Sequence, residues 1–471
     1  MTMWSGRFRE PLNPAFERWQ RSFGFDWRLL RHELAASRAH ARALKTAGVL
    51  SSEELISILE GLEWIETQSS TAEGAKTAFL QDDEAEDIHH FVEKQLAARI
   101  GDTGYKLHSG RSRNEQVATD LRLYTRESIG QLQALLADWI EAFVSRAESA
   151  GDAAMPAYTH LQRAEPVLVA HWLLSYANMF LRDSERLADC RKRVNLCPLG
   201  SGPVAGAVLP LDRAAMASNL EFDAPTENSI DATSDRDFAL EFVNCLSLAA
   251  LHLSRWAEEM ILFSSQEFSF VHLPEAYSTG SSAMPQKKNP DLLELVRGKA
   301  ARVLGLANTL MIAVKGLPLA YNKDLQETQE PLFDATETVL AMMPLVCGFM
   351  KLVEFNQQNM QSAAESGFMN AWAASTYLVN RGVPFRMAHE RIGNAVQLCL
   401  DRGCELKDLP LEDLQKLHPA FDESFYAHLS LKAVLALHDV PGGTAPQRVR
   451  QAIAAARQRV ARLREGTHVH A

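Results

Sequence analysis

Hydrophobic positions in this chain recur at three- and four-residue steps over long stretches. Leu240, Val243, Leu246, Ala250, Leu253 and Met260 form the clearest series, with the spacing that lines one face of an α-helix. Glycine and proline, which end or kink helices, are absent between Pro166 and Pro198 and between Pro225 and Pro274. Similar segments run from about Asn114 to Ala150, Asp291 to Lys315 and Pro331 to Gln361, broken only by isolated glycines or prolines. A segment of roughly thirty residues makes a helix ~45 Å long, against a globular mean of about 11–12 residues. Alternating strand patterns are scarce. The pattern predicts an all-α protein whose middle is an elongated bundle of about five helices.

The flanks differ from the middle. Residues 1 to about 108 carry shorter helical pieces, among them Asp26–Ala47 and a helix opened by the capping box Ser51-Ser52-Glu53-Glu54. After about residue 362 turn signals become denser, with Gly382-Val383-Pro384 and Pro441-Gly442-Gly443. The expected organisation is three segments: 1–108, a helical N-terminal domain; 109–361, the long-helix bundle; and 362–471, a helical C-terminal domain. Helices this long expose more apolar surface than one chain covers, so self-association is expected.

Composition narrows the class. A chain of 471 residues, 46% hydrophobic and 23% charged, is an ordinary globular protein with ample core. Its formal net charge of -11 argues against a nucleic-acid partner. An acidic protein that binds an anion must gather its cations locally. The six cysteines are scattered without CxxC spacing, which points to a reducing compartment and away from zinc or a disulfide framework. No signal-peptide core and no membrane-length apolar run is seen, so no membrane partner and a cytoplasmic location are expected.

Candidate chemistry gathers in a few short runs. Ser278-Thr279-Gly280-Ser281-Ser282-Ala283-Met284-Pro285-Gln286-Lys287-Lys288-Asn289-Pro290 joins a flexible hydroxyl-bearing half to two cations, an amide and a proline that opens a helix. Such a loop suits proton transfer beside a carboxylate better than it suits a solvated linker. His108 to Gln116 packs donors around a glycine turn before a long helix, a natural carboxylate site; a surface arginine cluster is the plainer alternative. Thr159-His160-Leu161-Gln162-Arg163 lies just ahead of the Pro166 helix, where a lone histidine is more often structural than catalytic. Tyr321-Asn322-Lys323-Asp324-Leu325-Gln326-Glu327 is a polar linker able to orient a zwitterion. Glu86-Asp87-Ile88-His89-His90 lacks the second ligand cluster that a metal site needs. Neither Gly200–Gly206 nor Gly104–Ser112 has the spacing of a nucleotide-binding loop.

Together these segments resemble the fumarase/aspartase superfamily, whose signature GSSxMPxKxNP reads here Gly280-Ser281-Ser282-Ala283-Met284-Pro285-Gln286-Lys287-Lys288-Asn289-Pro290. Within it the chain is most similar to the branch that cleaves argininosuccinate. The similarity runs from Trp4-Ser5-Gly6-Arg7-Phe8 through Glu86–His89, Gly110–Asn114, Tyr158–Gln162, Ser234–Phe238 and Tyr321–Gln326 to Gly382–Arg386 and Gly442–Pro446. The resemblance implies a homotetramer with active sites shared between subunits. It also implies conversion of argininosuccinate to arginine and fumarate without metal or cofactor. It implies Ser281 as the base, helped by Lys287, and His160 as general acid or stabiliser for the departing guanidinium, oriented by Glu294. Arg113, Asn114, Thr159, Lys287 and Asn289 would hold carboxylates. Ser37, Asp87, Tyr321, Gln326 and Gln329 would contact the rest of the substrate.

Three positions depart from the pattern. Gln329 replaces a substrate-binding lysine, Ala207 stands where asparagine is common, and a Thr-Asp pair is missing near Trp372-Ala373. An alternative reading is therefore a lyase of the same superfamily acting on another N-substituted aspartate. A purely structural relative is disfavoured by intact Ser281, His160 and Lys287. A serine hydrolase is disfavoured because there is no Gly-x-Ser-x-Gly elbow.

Overall fold

The structure, a computed structural model, describes residues 10–70, 78–81 and 84–468. The Trp4–Phe8 segment lies outside the described residues. The fold is all-α. Its helices include α1 (Leu30–Thr46), α2 (Ser52–Ser70), α3 (Ile88–Ile100), α4 (Arg113–Ala150), α5 (Val169–Val194), α6 (Asp237–Ser264), α7 (Asp291–Val314), α8 (Gln329–Leu352) and α9 (Phe385–Arg402). The helices read from periodicity are present: α4 and α7 match their expected limits to within a residue at each end.

Two compact units can be distinguished. The first comprises Met1–Gln131, Arg186–Ser247 and Arg302–Val339; the second comprises Leu132–Glu185, Leu248–Ala301 and Leu340–Ala471. Helices α4 to α8 contribute residues to both.

In the first unit α2 opens on the reciprocal cap read from sequence. The Glu54 N–H donates to Ser51 Oγ at 3.2 Å, and the Ser51 N–H donates to Glu54 Oε2 at 2.9 Å. Two of the four otherwise orphaned N–H groups near a helix start are thereby satisfied. Behind this cap Leu34, Leu44, Ile58, Leu62, Phe91 and Leu96 are buried. Phe23 stacks on Phe91 with ring centroids 5.2 Å apart.

The second unit is built on rings. Trp139 of α4 meets Phe143 at 4.6 Å and Trp256 of α6 at 4.9 Å, and Trp256 meets Phe349 of α8 at 5.5 Å, all edge-on. Edge-on pairs add about 0.5–1.5 kcal/mol each beyond their burial. A further core, including Tyr377, Ile392, Cys399, Leu406, Phe421 and Phe425, forms within the chain after residue 370. One stretch among the described residues, Lys323–Leu352, has the length and mean hydropathy (1.4) to cross a membrane, but 56% of its apolar window is buried in the fold. That is a core helix.

Two elements differ from the sequence reading. The helix expected from Pro331 to Gln361 is α8, which ends at Leu352; a second helix, Gln357–Ala364, follows. Between them Val271–His272 and Glu354–Phe355 pair antiparallel, and the Asn356 side chain caps the second helix by accepting from the Asn359 N–H at 3.1 Å. The strand pair and the cap offer the backbone partners that compete with a continued helix.

The second difference is a hairpin that sequence reading missed. Strands β1 (Ala154–Thr159) and β2 (Gln162–Leu168) pair antiparallel, with Thr159 opposite Gln162, so α5 starts at Val169 rather than at Pro166. Pro156 and Pro166, which face one another, argue against a strand in sequence. His160 and Leu161 close the turn, both at φ 56°, a geometry that normally selects Asn-Gly.

Ser51→Ala removes one arm of the reciprocal cap on α2. It is expected to lower stability by about 1 kcal/mol, seen as a lower thermal unfolding midpoint with turnover unchanged.

Candidate active site

The candidate residues fall in two groups, one in each unit. In the first, the start of α4 carries Arg113 and Asn114. Ser112 caps that start: the Asn114 N–H donates to Ser112 Oγ at 3.3 Å, while the Ser112 N–H donates to Glu115 Oε1 at 2.9 Å. Gly110 precedes it at φ 71°, where a Cβ would come within 2.6 Å of Leu209, so only glycine fits the turn without displacing its neighbour.

Glu115 is buried near the Gly200–Gly206 loop, and burial raises its carboxyl although the loop backbone at Gly200 and Gly202 opposes the rise. Asn114 Nδ2 donates to the Pro203 carbonyl of the same loop at 3.2 Å. Arg213 ties the loop down through the Leu199 carbonyl at 3.2 Å and Ser201 Oγ at 3.2 Å. The glycine-rich run is thus a support for α4.

Arg113 Nε lies 3.2 Å from Asp87 Oδ2, and its Nη1 donates to Gln116 Oε1 at 3.3 Å. Asp87 also caps α3, accepting the His90 N–H at 2.6 Å. Burial opposes charge on Asp87, but Arg113 and the histidine contacts hold its carboxyl below the ordinary value. Beside it, burial and the Asp87 charge push Asp26 well up. Tyr321 is half-buried within the field of Arg236, Asp87 and Glu86, with its phenol raised chiefly by burial. Lys323 lies 3.7 Å from Glu86. Gln326 donates to the Gln20 carbonyl at 3.1 Å, and Gln329 is buried with Oε1 unpartnered.

Ser37 is not where the resemblance implied. It is 0% exposed, so it has no route to a substrate in this structure. Its hydroxyl donates to Glu33 Oε1 at 2.6 Å and accepts from Arg111 Nη1 at 3.0 Å. The helical register of α1 turns it inward with Glu33, four residues earlier.

Glu33 is the hub of a buried network that the sequence reading did not pick out. Its oxygens also receive His89 Nδ1 at 2.8 Å and Gln116 Nε2 at 3.3 Å, with Arg111 Nη2 at 3.6 Å. Burial alone would protonate it, yet His89, Arg111 and Ser37 hold it far below the usual carboxylate range. Asp120, whose Oδ2 lies 3.7 Å from His89, is driven well up by burial and by the Glu33 charge. The surroundings thus favour the charged form of Glu33 and the protonated form of Asp120. Ligand atoms of Glu33, His89 and Asp120 lie within 4.8 Å of one another, but with Glu33 already receiving Ser37, Gln116 and His89 and facing Arg111, the set reads as a hydrogen-bond network. Arg236 is a second addition: fully buried, with Nη1 donating to the Asp235 carbonyl at 2.7 Å and Nε and Nη2 unpartnered. For Glu33, Ser37 and Gln116 the sequence signal was a polar type on the buried face of α1 or α4, whereas His89, Arg111 and Arg236 stood, without a role, in segments that carry the resemblance.

In the second unit the signature loop is a short ribbon. Strands β3 (Thr279–Gly280) and β4 (Lys288–Asn289) pair with Thr279 opposite Asn289. Thr279 Oγ1 donates to Asp291 at the start of α7, and Lys288 Nζ holds the Leu273 carbonyl at 2.5 Å. The loop between them turns back on Ser281, whose Oγ accepts the N–H groups of Ala283 at 3.3 Å and Met284 at 3.1 Å. Ser281 and Asn289 are half-buried; Lys287 and Glu294 are exposed. Thr159 and His160 stand exposed at the tip of the β1–β2 hairpin.

Among the described residues the side chains of His160, Lys287 and Glu294 have no hydrogen-bond or ion-pair partner in the chain. The implied Glu294–His160 contact is therefore not formed within one copy; Glu294 faces outward from the first turn of α7.

Comparison with known proteins gives these groups a context. A lyase family profile matches residues 6–305, and the argininosuccinate lyase C-terminal profile matches residues 368–436. The chain is 60% identical to an argininosuccinate lyase of Koribacter versatilis over 471 residues, 100% of each chain. The chain belongs to the argininosuccinate lyase family. It is also 58% identical to the family member from Acidobacterium capsulatum, covering 98% of this chain and 96% of that one. Among solved structures, an EDDS lyase in complex with formate superimposes with a TM-score of 0.82 at 24% identity, over 98% of this chain and 92% of the other. A 3-carboxy-cis,cis-muconate lactonizing enzyme from Pseudomonas putida follows at 0.74 and 21%, over 95% and 100%. Both speak to the fold alone.

The buried histidines beneath the first group give a pH signature. His40, which donates to the Ser109 carbonyl at 2.9 Å, is lowered to about 3 by burial and by Arg111. A histidine depressed in the folded state binds its proton preferentially when unfolded, so stability falls as pH drops below about 6.5. Going from pH 7 to 5 is expected to cost about 2 kcal/mol through His40. In His40→Gln, which keeps a donor for Ser109, denaturant unfolding at the two pH values should lose that increment.

Proposed function

We propose that this chain is an argininosuccinate lyase that eliminates fumarate from argininosuccinate, leaving arginine, in the cytoplasm as the closing step of arginine biosynthesis. Full-length identity of 60% to a curated relative of that name carries the reading. The intact signature loop supplies the chemistry. Removing a proton beside a carboxylate builds a dianionic, aci-carboxylate-like intermediate, and donors aimed at that charge lower the barrier selectively.

Ser281 is the base in this reading. The Ala283 and Met284 N–H groups converge on its Oγ and favour the alkoxide, and the ammonium of Lys287 adds charge from the same loop. His160 steadies or protonates the departing guanidinium. Arg113, Asn114, Thr159, Lys287 and Asn289 receive carboxylates, while Tyr321, Gln326, Asp87 and Gln329 order the rest. Ser37 acts only through Glu33 and Arg111. No cofactor enters this scheme. Another N-substituted aspartate as substrate has only Gln329 in its favour.

The enzyme works as a homotetramer in which each site draws its segments from several copies, each copy having a helical domain 1–108, the long-helix bundle 109–361 with the catalytic loop, and a helical domain 362–471. Leu248, Leu251, Leu295, Met311, Ile312 and Leu345 are exposed on α6, α7 and α8, with Ile312 at 70%. Apolar surface of that extent marks an interface. A second copy would also give His160 and Glu294 the partners each lacks within one chain.

Incubation with argininosuccinate should raise the ultraviolet absorbance of fumarate. Ser281→Ala should slow turnover by about 10²–10⁴-fold with the assembly intact; near-normal rates would remove Ser281 from this role. Light scattering should give four times the 52.4 kDa chain mass. Co-assembling Ser281→Ala with His160→Asn subunits should restore part of the activity, because some sites then receive both intact segments. A mixed tetramer as inactive as its parents would place each site within one copy.

A further inference from the structure

Helix α9 ends in a left-handed glycine, Gly403 at φ 65°. The N–H of Cys404 donates to the carbonyl of Cys399 at 3.0 Å, the six-to-one bond of a Schellman motif. That motif brings the side chain three residues before the helix end against the second one after it, and usually seals the end with an apolar contact. Here both positions are cysteines. Cys399 is buried in the core formed after residue 370, and half-buried Cys404 packs on the same core.

We propose that Cys399 and Cys404 are an oxidisable dithiol that hydroperoxides close to a disulfide across the end of α9. The backbone geometry supplies the warrant: a six-to-one hydrogen bond holds the two Cα atoms within the few ångströms that a disulfide spans. Cys404 packs against the core cluster to which Cys399 belongs. Burial, and then contact with the Cys404 sulfur, push the Cys399 thiol up to about 12. Cys404 is the accessible partner and reacts first. Its thiolate attacks the O–O bond, giving the sulfenic acid and releasing hydroxide, which takes up the proton the thiol had lost. The Cys399 sulfur then displaces water from the sulfenic acid, forming the S–S bond. Two thiols are oxidised by two electrons, and one hydrogen peroxide becomes two waters. The neighbouring Glu405 and Asp408 carboxylates raise the Cys399 thiol further, so closure is slow with peroxide and reversible with dithiols. No candidate active-site residue takes part.

The chain offers a direct readout because trypsin cuts between the two cysteines, after Arg402, and also after Arg391 and Lys407. Full-length reduced protein is exposed to hydrogen peroxide under native conditions, alkylated, digested and analysed by mass spectrometry. The expected product is Ile392–Arg402 joined to Gly403–Lys407, with loss of the alkylated Gly403–Lys407 peptide and its recovery after dithiothreitol. In Cys404→Ser the joined pair is absent and Cys399 stays unmodified, since its buried thiol is no longer served by an accessible partner. The proposal fails if peroxide carries Cys404 to sulfinic or sulfonic acid with the two peptides separate, or if Cys404 is found bridged to one of the other four cysteines.

Discussion

The first unit depends on one buried negative charge. A carboxylate at 0% exposure, as Glu33 is, is tolerated only when donors replace the water it has lost. The donors come from four places: Ser37 in α1 itself, His89 in α3, Arg111 ahead of α4 and Gln116 within it. Removing any of them leaves a deficit that the others cannot fill, so the charge locks the three helices in register. The two segments fixed this way carry Asp87 and Arg113, which meet two residues away from His89 and Arg111 respectively. The buried network sits one layer beneath the groups proposed to meet a substrate, and its rigidity becomes theirs.

The second unit uses strain and short ribbons where the first uses charge. His160 and Leu161 both hold φ 56°, a conformation that histidine tolerates better than most residues and leucine poorly. The β1–β2 pairing around them keeps that turn in place, and with it the exposed imidazole. The signature loop is pinned at its base by β3 and β4 and by the Thr279–Asp291 contact, while its tip stays in solvent. Ser281 lies just beyond the pinned part, where backbone N–H groups reach it.

Much of this was legible in the residues. Helices α4 and α7 follow from unbroken three-four periodicity, and the cap on α2 follows from Ser51 and Glu54. The hairpin carrying His160 was hidden because its strands contain Pro156 and Pro166 and its turn lacks glycine; pairing of the two adjacent strands overrode both local signals. The end of α8 was missed because the strand partner of Glu354–Phe355 is Val271–His272, far away in sequence. Ser37 misled for a related reason. On sequence it is a hydroxyl among alanines, and only the packing of α1 shows that it faces Glu33. Polar residues on a buried helix face look like surface residues until the neighbouring helices are in place.

That same packing constrains how an acidic protein handles an anionic substrate. Arg111 and Arg113 are the densest cation pair in the motif before α4, yet the fold has committed Arg111 to Glu33 and paired Arg113 with Asp87. A carboxylate arriving at Arg113 meets a guanidinium that is already neutralised, so it gains orientation from the fixed fork and little net Coulomb energy. Other groups have charge or hydrogen bonds to spare: among the described residues Lys287 has no acidic partner, and buried Arg236 keeps Nε and Nη2 unpartnered. In the proposed reaction the negative charge grows as the proton leaves, and donors without a standing partner respond to that growth most strongly. A guanidinium paired in advance, as Arg113 is with Asp87, is therefore suited to fixing the direction of a bound carboxylate rather than to answering new charge.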